Sequence, residues 1–126
     1  MTDGTRRTFY PIVDYRDPVK AMDWLERAFG FERHEVARND AGGIVHIEMR
    51  YDTGIVMLGE TGKGAGEGGG NAGMYVAVDD PDAHHDRAKA AGAEIVIGLA
   101  DKPYGSRDYS ARDLEGNVWH FGTYRP

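Results

Sequence analysis

The side chains here that can do chemistry are histidines, carboxylates and tyrosines, because the chain contains no cysteine. That absence excludes disulfides, thiolate metal sites and cysteine nucleophiles, so a bound metal would need His, Asp or Glu. His46 and Glu48 stand two apart in the strand-like run Ile44 to Arg50, and strand alternation puts both on one face. With His120 they could form a displaced two-histidine, one-carboxylate set for a divalent ion such as Zn, Ni, Mn or Fe. The plainer reading is a polar strand face near solvent. His120 could instead act as a general base near neutral pH, with Tyr10 as acid or hydrogen-bond donor. His84 and His85 fall in a helical segment and read as solvated or partly buried helix residues. Lys63 sits in a glycine-rich run but is followed by Gly64 instead of Ser or Thr, and no helix begins behind it. A phosphate-cradling loop is therefore not expected.

These residues are carried by an internal repeat. A first helix is predicted with Asp17 as N-cap, Pro18 at its first position and Gly30 at its end, and a second repeats the same syntax with Asp80, Pro81 and Gly92. Before the helices lie strand-like runs, Phe9 to Tyr15 and Met74 to Val78. After the first come strands near Phe31 to Arg38, Ile44 to Arg50 and Ile55 to Leu58; after the second come Glu94 to Leu99, Ser106 to Arg112 and Asn117 to Tyr124. Both halves read βαβββ, which gives an α+β fold in one domain spanning 1–126. The first repeat covers 9–58, a linker covers 59–73 and the second repeat covers 74–124. In the linker eight of fifteen residues are glycine, a composition that cannot build a core.

Helix periodicity groups Ala21, Met22, Trp24, Leu25, Ala28 and Phe29 on one apolar stripe, so Trp24 reads as core. The second helix offers mainly alanines, which bury less area each. Strand alternation then sorts the sheet faces. Trp119 and Phe121 face a helix and leave His120 and Tyr124 opposite; Val76 leaves Tyr75 opposite, Val13 leaves Ile12 and Tyr10, and Val56 and Leu58 leave Ile55 and Met57. The helix-free faces are apolar and aromatic, and a curved sheet covers such a face by folding around a cavity or its ligand. Tyr10, Ile12, Met57, Tyr75, Tyr104, Tyr109, His120 and Tyr124 are the candidate pocket residues, since Tyr and Met offer adaptable contact area. The segment Gly98 to Asp108 reads as a loop near the pocket mouth, and Arg107 or Arg112 as a partner for an anionic group or for a surface carboxylate.

The run from Asp17 through Trp24 and Leu25 to Phe29-Gly30-Phe31, together with the ending Asp113-Leu114-Glu115-Gly116-Asn117-Val118-Trp119-His120-Phe121-Gly122, resembles the vicinal-oxygen-chelate superfamily of glyoxalases, bleomycin-resistance proteins and dioxygenases. The resemblance covers nearly the whole chain and implies two βαβββ repeats forming a curved mixed-sheet cup. It further implies metal ligands on the first, fourth, fifth and eighth strands. Those positions here hold Tyr10, Met57 (Leu58 with a one-residue slip), Gly73 and His120, of which His120 alone is an ordinary ligand. No cofactor is therefore expected, with a divalent metal as the alternative. The resemblance then favours a metal-free binding protein for an antibiotic or other secondary metabolite. A metal-dependent lyase, isomerase or dioxygenase is a second reading, and metal-free catalysis through His120 is a third. The resemblance also implies a homodimer.

With 21 acidic and 15 basic residues the net charge is −6, which opposes attraction to nucleic acid and anionic membranes. No apolar run approaches the roughly 20 residues of a membrane helix, and the N-terminal segment lacks an apolar signal core. The expected location is the cytoplasm and the expected partner a small organic molecule.

Overall fold

The computed structural model describes residues 8–60 and 73–126. The first half runs β1 (Ile12–Tyr15), α1 (Pro18–Phe29), β2 (Glu32–Arg38), β3 (Ile44–Tyr51) and β4 (Gly54–Glu60). The second runs β5 (Met74–Ala77), α2 (Pro81–Ala90), β6 (Glu94–Asp101), β7 (Arg107–Arg112) and β8 (Val118–Gly122). Each half forms a four-stranded mixed sheet, ordered β1-β4-β3-β2 and β5-β8-β7-β6. In both, the strand before the helix pairs in parallel with the last strand, and the remaining pairs are antiparallel. This is the α+β arrangement of two βαβββ repeats.

The helix starts are set by the aspartates. Asp17 accepts the Lys20 N–H at 3.0 Å and Asp80 accepts the Ala83 N–H at 3.1 Å, satisfying donors that have no partner inside the helix. Helix α1 ends on Gly30 at φ 76°, a left-handed conformation that costs glycine least. Helix α2 stops one residue earlier than its glycine, with Ala91 closing it and Gly92 taking the left-handed turn.

Four boundaries differ by two residues or more from the sequence reading, and one is the end of β8, which stops at Gly122 and leaves Tyr124 beyond the strand. β1 begins at Ile12 instead of Phe9, because Pro11 has no N–H to give the ladder, although its carbonyl still accepts from Met57 N at 3.0 Å. β4 runs on through Gly59 and Glu60, paired with Asp14 and Tyr15, so these two leave the expected linker; residues 61–72 lie outside the described residues. β6 continues to Asp101, with register shifts near Ile97 that keep Gly98 within the strand, so the expected loop shortens to Lys102–Ser106.

One core serves both halves. The α1 stripe, Trp24 included, is buried against Val13, Tyr15, Ile47, Met49, Val56 and Leu58. Phe29 then carries the contact across, its ring 5.8 Å from Trp119 and 4.8 Å from Phe121. Arg87 of α2 donates to the carbonyls of Arg27 and Glu26 at 3.0 and 2.9 Å, occupying orphan acceptors at the end of α1. The helix sides of the two sheets thus meet in one core, while the opposite faces expose Ile12 (59%), Val45 (62%) and Ile97 (49%).

His84 takes part in this joint, where the sequence suggested a solvated or partly buried helix residue. Its Nε2 lies 2.8 Å from the Phe29 carbonyl, which can only accept, and its Nδ1 lies 2.5 Å from the Tyr109 hydroxyl. A neutral ring satisfies both. Burial lowers the His84 pKa from its ordinary 6.5, opposed by the Phe29 bond and aided by Arg87. The unfolded chain therefore takes up the proton first, so this part of the stability is present above about pH 6.5 and is lost as pH falls below it. The urea midpoint is expected to drop between pH 7.5 and 5.5, about one unit either side of that value, and His84→Gln is expected to flatten the drop. An unchanged slope in the variant would remove His84 as its cause.

Candidate functional site

The open face of the second sheet carries the larger group of candidate residues. Register sets Tyr75, His120 and Ser110 side by side across β5, β8 and β7. They line a cavity of about 710 Å³ together with Ile97, Tyr104 and Tyr124. Ser110 Oγ lies 2.6 Å from His120 Nδ1. That contact engages one ring nitrogen and leaves Nε2 for the cavity. The Tyr75 hydroxyl donates to the Tyr124 carbonyl at 2.7 Å, and Tyr104 and Tyr124 meet edge to face with centroids 6.0 Å apart.

Asp108 also lines this cavity. Its carboxylate accepts from Tyr104 at 3.1 Å and from Ser106, whose hydroxyl also accepts the Tyr124 N–H at 3.1 Å. The bond to Asp108, foremost, raises the Tyr104 pKa, and burial does the same for Tyr75. Both phenols stay protonated at neutral pH.

Tyr109 requires a correction. It borders the cavity wall but is fully buried, its ring stacked on Phe121 and its hydroxyl turned to His84 on the helix side. It is a core residue, because in β7 alternation turns Asp108 and Ser110 to the open face and Tyr109 and Ala111 to the helix.

The remaining candidates sit on the first sheet. Ile12, Met57 and His46 line a separate cavity of about 670 Å³. Tyr10 precedes β1 and does not join the His120 cavity. The candidates expected to share one pocket thus line separate cavities within one chain, and Tyr75 also borders a further cavity of about 290 Å³ lined from both halves by Pro11, Phe31, Val56, Met74 and Trp119. His46 Nε2 contacts Glu48 Oε2 at 2.7 Å, and His34 Nε2 stands 3.9 Å from the other Glu48 oxygen, helped there by a register shift between Arg33 and Glu35. His120 belongs to the other sheet, so the suggested set of His46, Glu48 and His120 is not assembled within one chain. Among the described residues no three His, Asp or Glu side chains are arranged to hold a metal ion.

The superfamily's ligand positions give the same answer. Leu58 is buried on the helix side, which leaves Met57 as the fourth-strand residue on the open face. Gly73 precedes β5, and a Cβ built there would stand 3.9 Å from His120 Nε2, so the fifth-strand position lies beside the histidine but offers no side chain. Tyr, Met and Gly do not make a divalent-metal site with one histidine. Arg107 and Arg112 are taken by Asp82, Asp101 and Glu94 at 2.7, 3.2 and 2.8 Å.

Ser110 and Asp108 were missed by the sequence reading. Counting outward from the Asp113 to Asn117 turn pairs Arg112 with Val118 and hence Ser110 with His120 and Asp108 with Gly122, so the signal was available.

A family model for the Glyoxalase/Bleomycin resistance protein/Dioxygenase superfamily matches residues 13–121. The chain belongs to this superfamily. Among solved structures, TioX from Micromonospora sp. ML1 is 38% identical, with a TM-score of 0.81 over 95% of this chain and 100% of that one. UcmS2 has a TM-score of 0.77 at 17% identity, covering 94% and 98% of the two chains, a likeness of fold. The uncharacterised protein Rv0887c of Mycobacterium tuberculosis is 28% identical over 120 residues, or 88% of this chain and 69% of its own length. The glyoxalase/bleomycin resistance/dioxygenase fold holds no membrane helix here: among the described residues no helix is long and apolar enough to cross a bilayer.

Proposed function

We propose that the protein is a metal-free binding protein of the bleomycin-resistance type, holding an antibiotic or other secondary metabolite in the cavity formed by Tyr75, Tyr104, Tyr124, Ile97, Ser110 and His120. The observation that carries this reading is the cavity itself, about 710 Å³ with Tyr75, Tyr104 and Tyr124 in its wall and with His120, held by Ser110, among a few polar groups that include Asp108 and Lys102. A few placed polar atoms in an apolar wall select orientation, while the rings supply contact area. Membership of a superfamily that includes bleomycin resistance proteins and the poor donor set at the superfamily's metal positions support the same reading. We place the protein in the cytoplasm and read it as a homodimer, because both open faces expose large apolar side chains that a second copy would cover.

The test is a screen of planar aromatic metabolites by thermal shift, with metal content measured on the same protein. A ligand at 100 times its Kd is expected to stabilise by about 2.7 kcal/mol, with Tyr75→Ala and His120→Ala each weakening binding about tenfold or more. Protein incubated with Zn, Ni, Mn or Fe(II) and dialysed is expected to retain no stoichiometric metal. Stoichiometric metal that disappears in His120→Ala would overturn the proposal and favour a metal-dependent lyase or dioxygenase.

The Ser110 to His120 contact favours one second reading, metal-free catalysis with His120 as general base. It requires turnover of a bound compound that stops in His120→Ala while binding persists.

A further inference from the structure

We infer that the Tyr75, Tyr104 and Tyr124 cavity selects an organic cation, with Asp108 as the residue that sets this preference. The inference rests on the binding reading above and names the class of ligand.

Asp108 is placed on the open face by its pairing with Gly122 of β8. A Cβ at position 122 would overlap the Asp108 carboxylate and come within 2.8 Å of the Tyr75 hydroxyl. The absent side chain is therefore what lets the carboxylate lie across the strand beside Tyr75. Two of its acceptor sites are filled by Tyr104 and Ser106. A carboxylate offers about four such sites, so further acceptors remain. Both donors are neutral, and among the described residues no Lys or Arg forms an ion pair with Asp108. Arg107, next in the chain, is committed to Asp82 and Asp101. Lys102 lines the cavity but makes no ion pair with Asp108.

The result is a half-buried anion held by neutral hydroxyls in a cavity that Tyr75, Tyr104 and Tyr124 also line. A quaternary or protonated nitrogen gains from the ring faces and from the carboxylate at once, and a neutral ligand of the same shape gains from neither charge term. The net charge of −6 steers a cation toward the protein as well.

The experiment compares N-methylquinolinium with quinoline at mildly alkaline pH, where quinoline is neutral and the two differ mainly by one charge. Binding is followed by NMR on the His120 and Tyr75 signals, which localises it. Wild type is expected to bind the cation about tenfold more tightly than the neutral ring. Asp108→Asn, close to isosteric, is expected to bring the two to near equality by weakening the cation alone. Equal affinities in the wild type would overturn the inference and leave the aromatic binding cavity standing, a result independent of how any variant folds. A preference that survives in folded Asp108→Asn would equally overturn the role of Asp108. Failure of both compounds to bind would overturn the binding reading and this inference with it.

Discussion

Asp113→Ala is expected to lose about 4 kcal/mol of stability, a large share of what holds a domain of this size. The carboxylate is buried and accepts four hydrogen bonds. Tyr15 donates to it at 2.6 Å and Trp119 Nε1 at 3.0 Å, while the Glu115 and Asn117 N–H groups reach the other oxygen at 3.0 Å each. Removing it strands two buried side-chain donors and unties the turn between β7 and β8. The same turn anchors the first half, since the Glu115 carboxylate accepts the backbone N–H of Arg16 at 2.6 Å and of Asp17 at 2.8 Å, just ahead of α1. Burial, then the Asp113 charge, holds the Tyr15 phenol well above its ordinary pKa, so it remains a donor throughout the useful pH range. Asp113→Asn keeps shape but turns an amide donor toward groups that can only donate or prefer to, and is expected to cost about half as much. Urea unfolding measures both, with the midpoint moving and the slope unchanged. A loss below about 1 kcal/mol for Asp113→Ala would mean that water replaces the carboxylate, and that the turn is not the joint described here.

Much of this architecture was readable in advance, and the reasons are local. The paired Asp-Pro starts and glycine ends act within one turn of chain, so α1 and α2 fell where the residues said. Alternation likewise identified Trp119 and Phe121 as core and His120 and Tyr75 as open-face residues. Tyr109 went astray because β7 carries few large apolar side chains, and a tyrosine flanked by Asp108 and Ser110 gives no sign of which face buries it. The role of His84 was hidden for a different reason. Its partners are 25 and 55 residues away, and no spacing rule links a helix histidine to the carbonyl ending another helix. The separation of the candidates into different cavities has the same origin. Strand patterns assign a face to Ile12 and Met57 and another to Tyr75 and His120, but how the halves are turned depends on Phe29, Phe31 and Trp119 meeting across the joint.

That joint can be tested at its centre, because the halves each carry one tryptophan. Phe29 is fully buried and its ring contacts Trp24 at 5.1 Å and Phe31 at 5.8 Å in its own half, and Trp119 and Phe121 in the other. Phe29→Ala is expected to cost about 4 kcal/mol, from lost burial and the cavity left among neighbours too large to collapse into it. Trp24→Phe and Trp119→Phe backgrounds leave a single reporter in the second and first half respectively. If the halves share one core, Phe29→Ala shifts both fluorescence midpoints equally, as a two-state unit requires. A shift confined to the Trp24 reporter would show two independent repeats. The ring contacts argue for the common shift, since α2 buries only Pro81, His84 and Ala88 and would leave the second sheet poorly covered without Phe29.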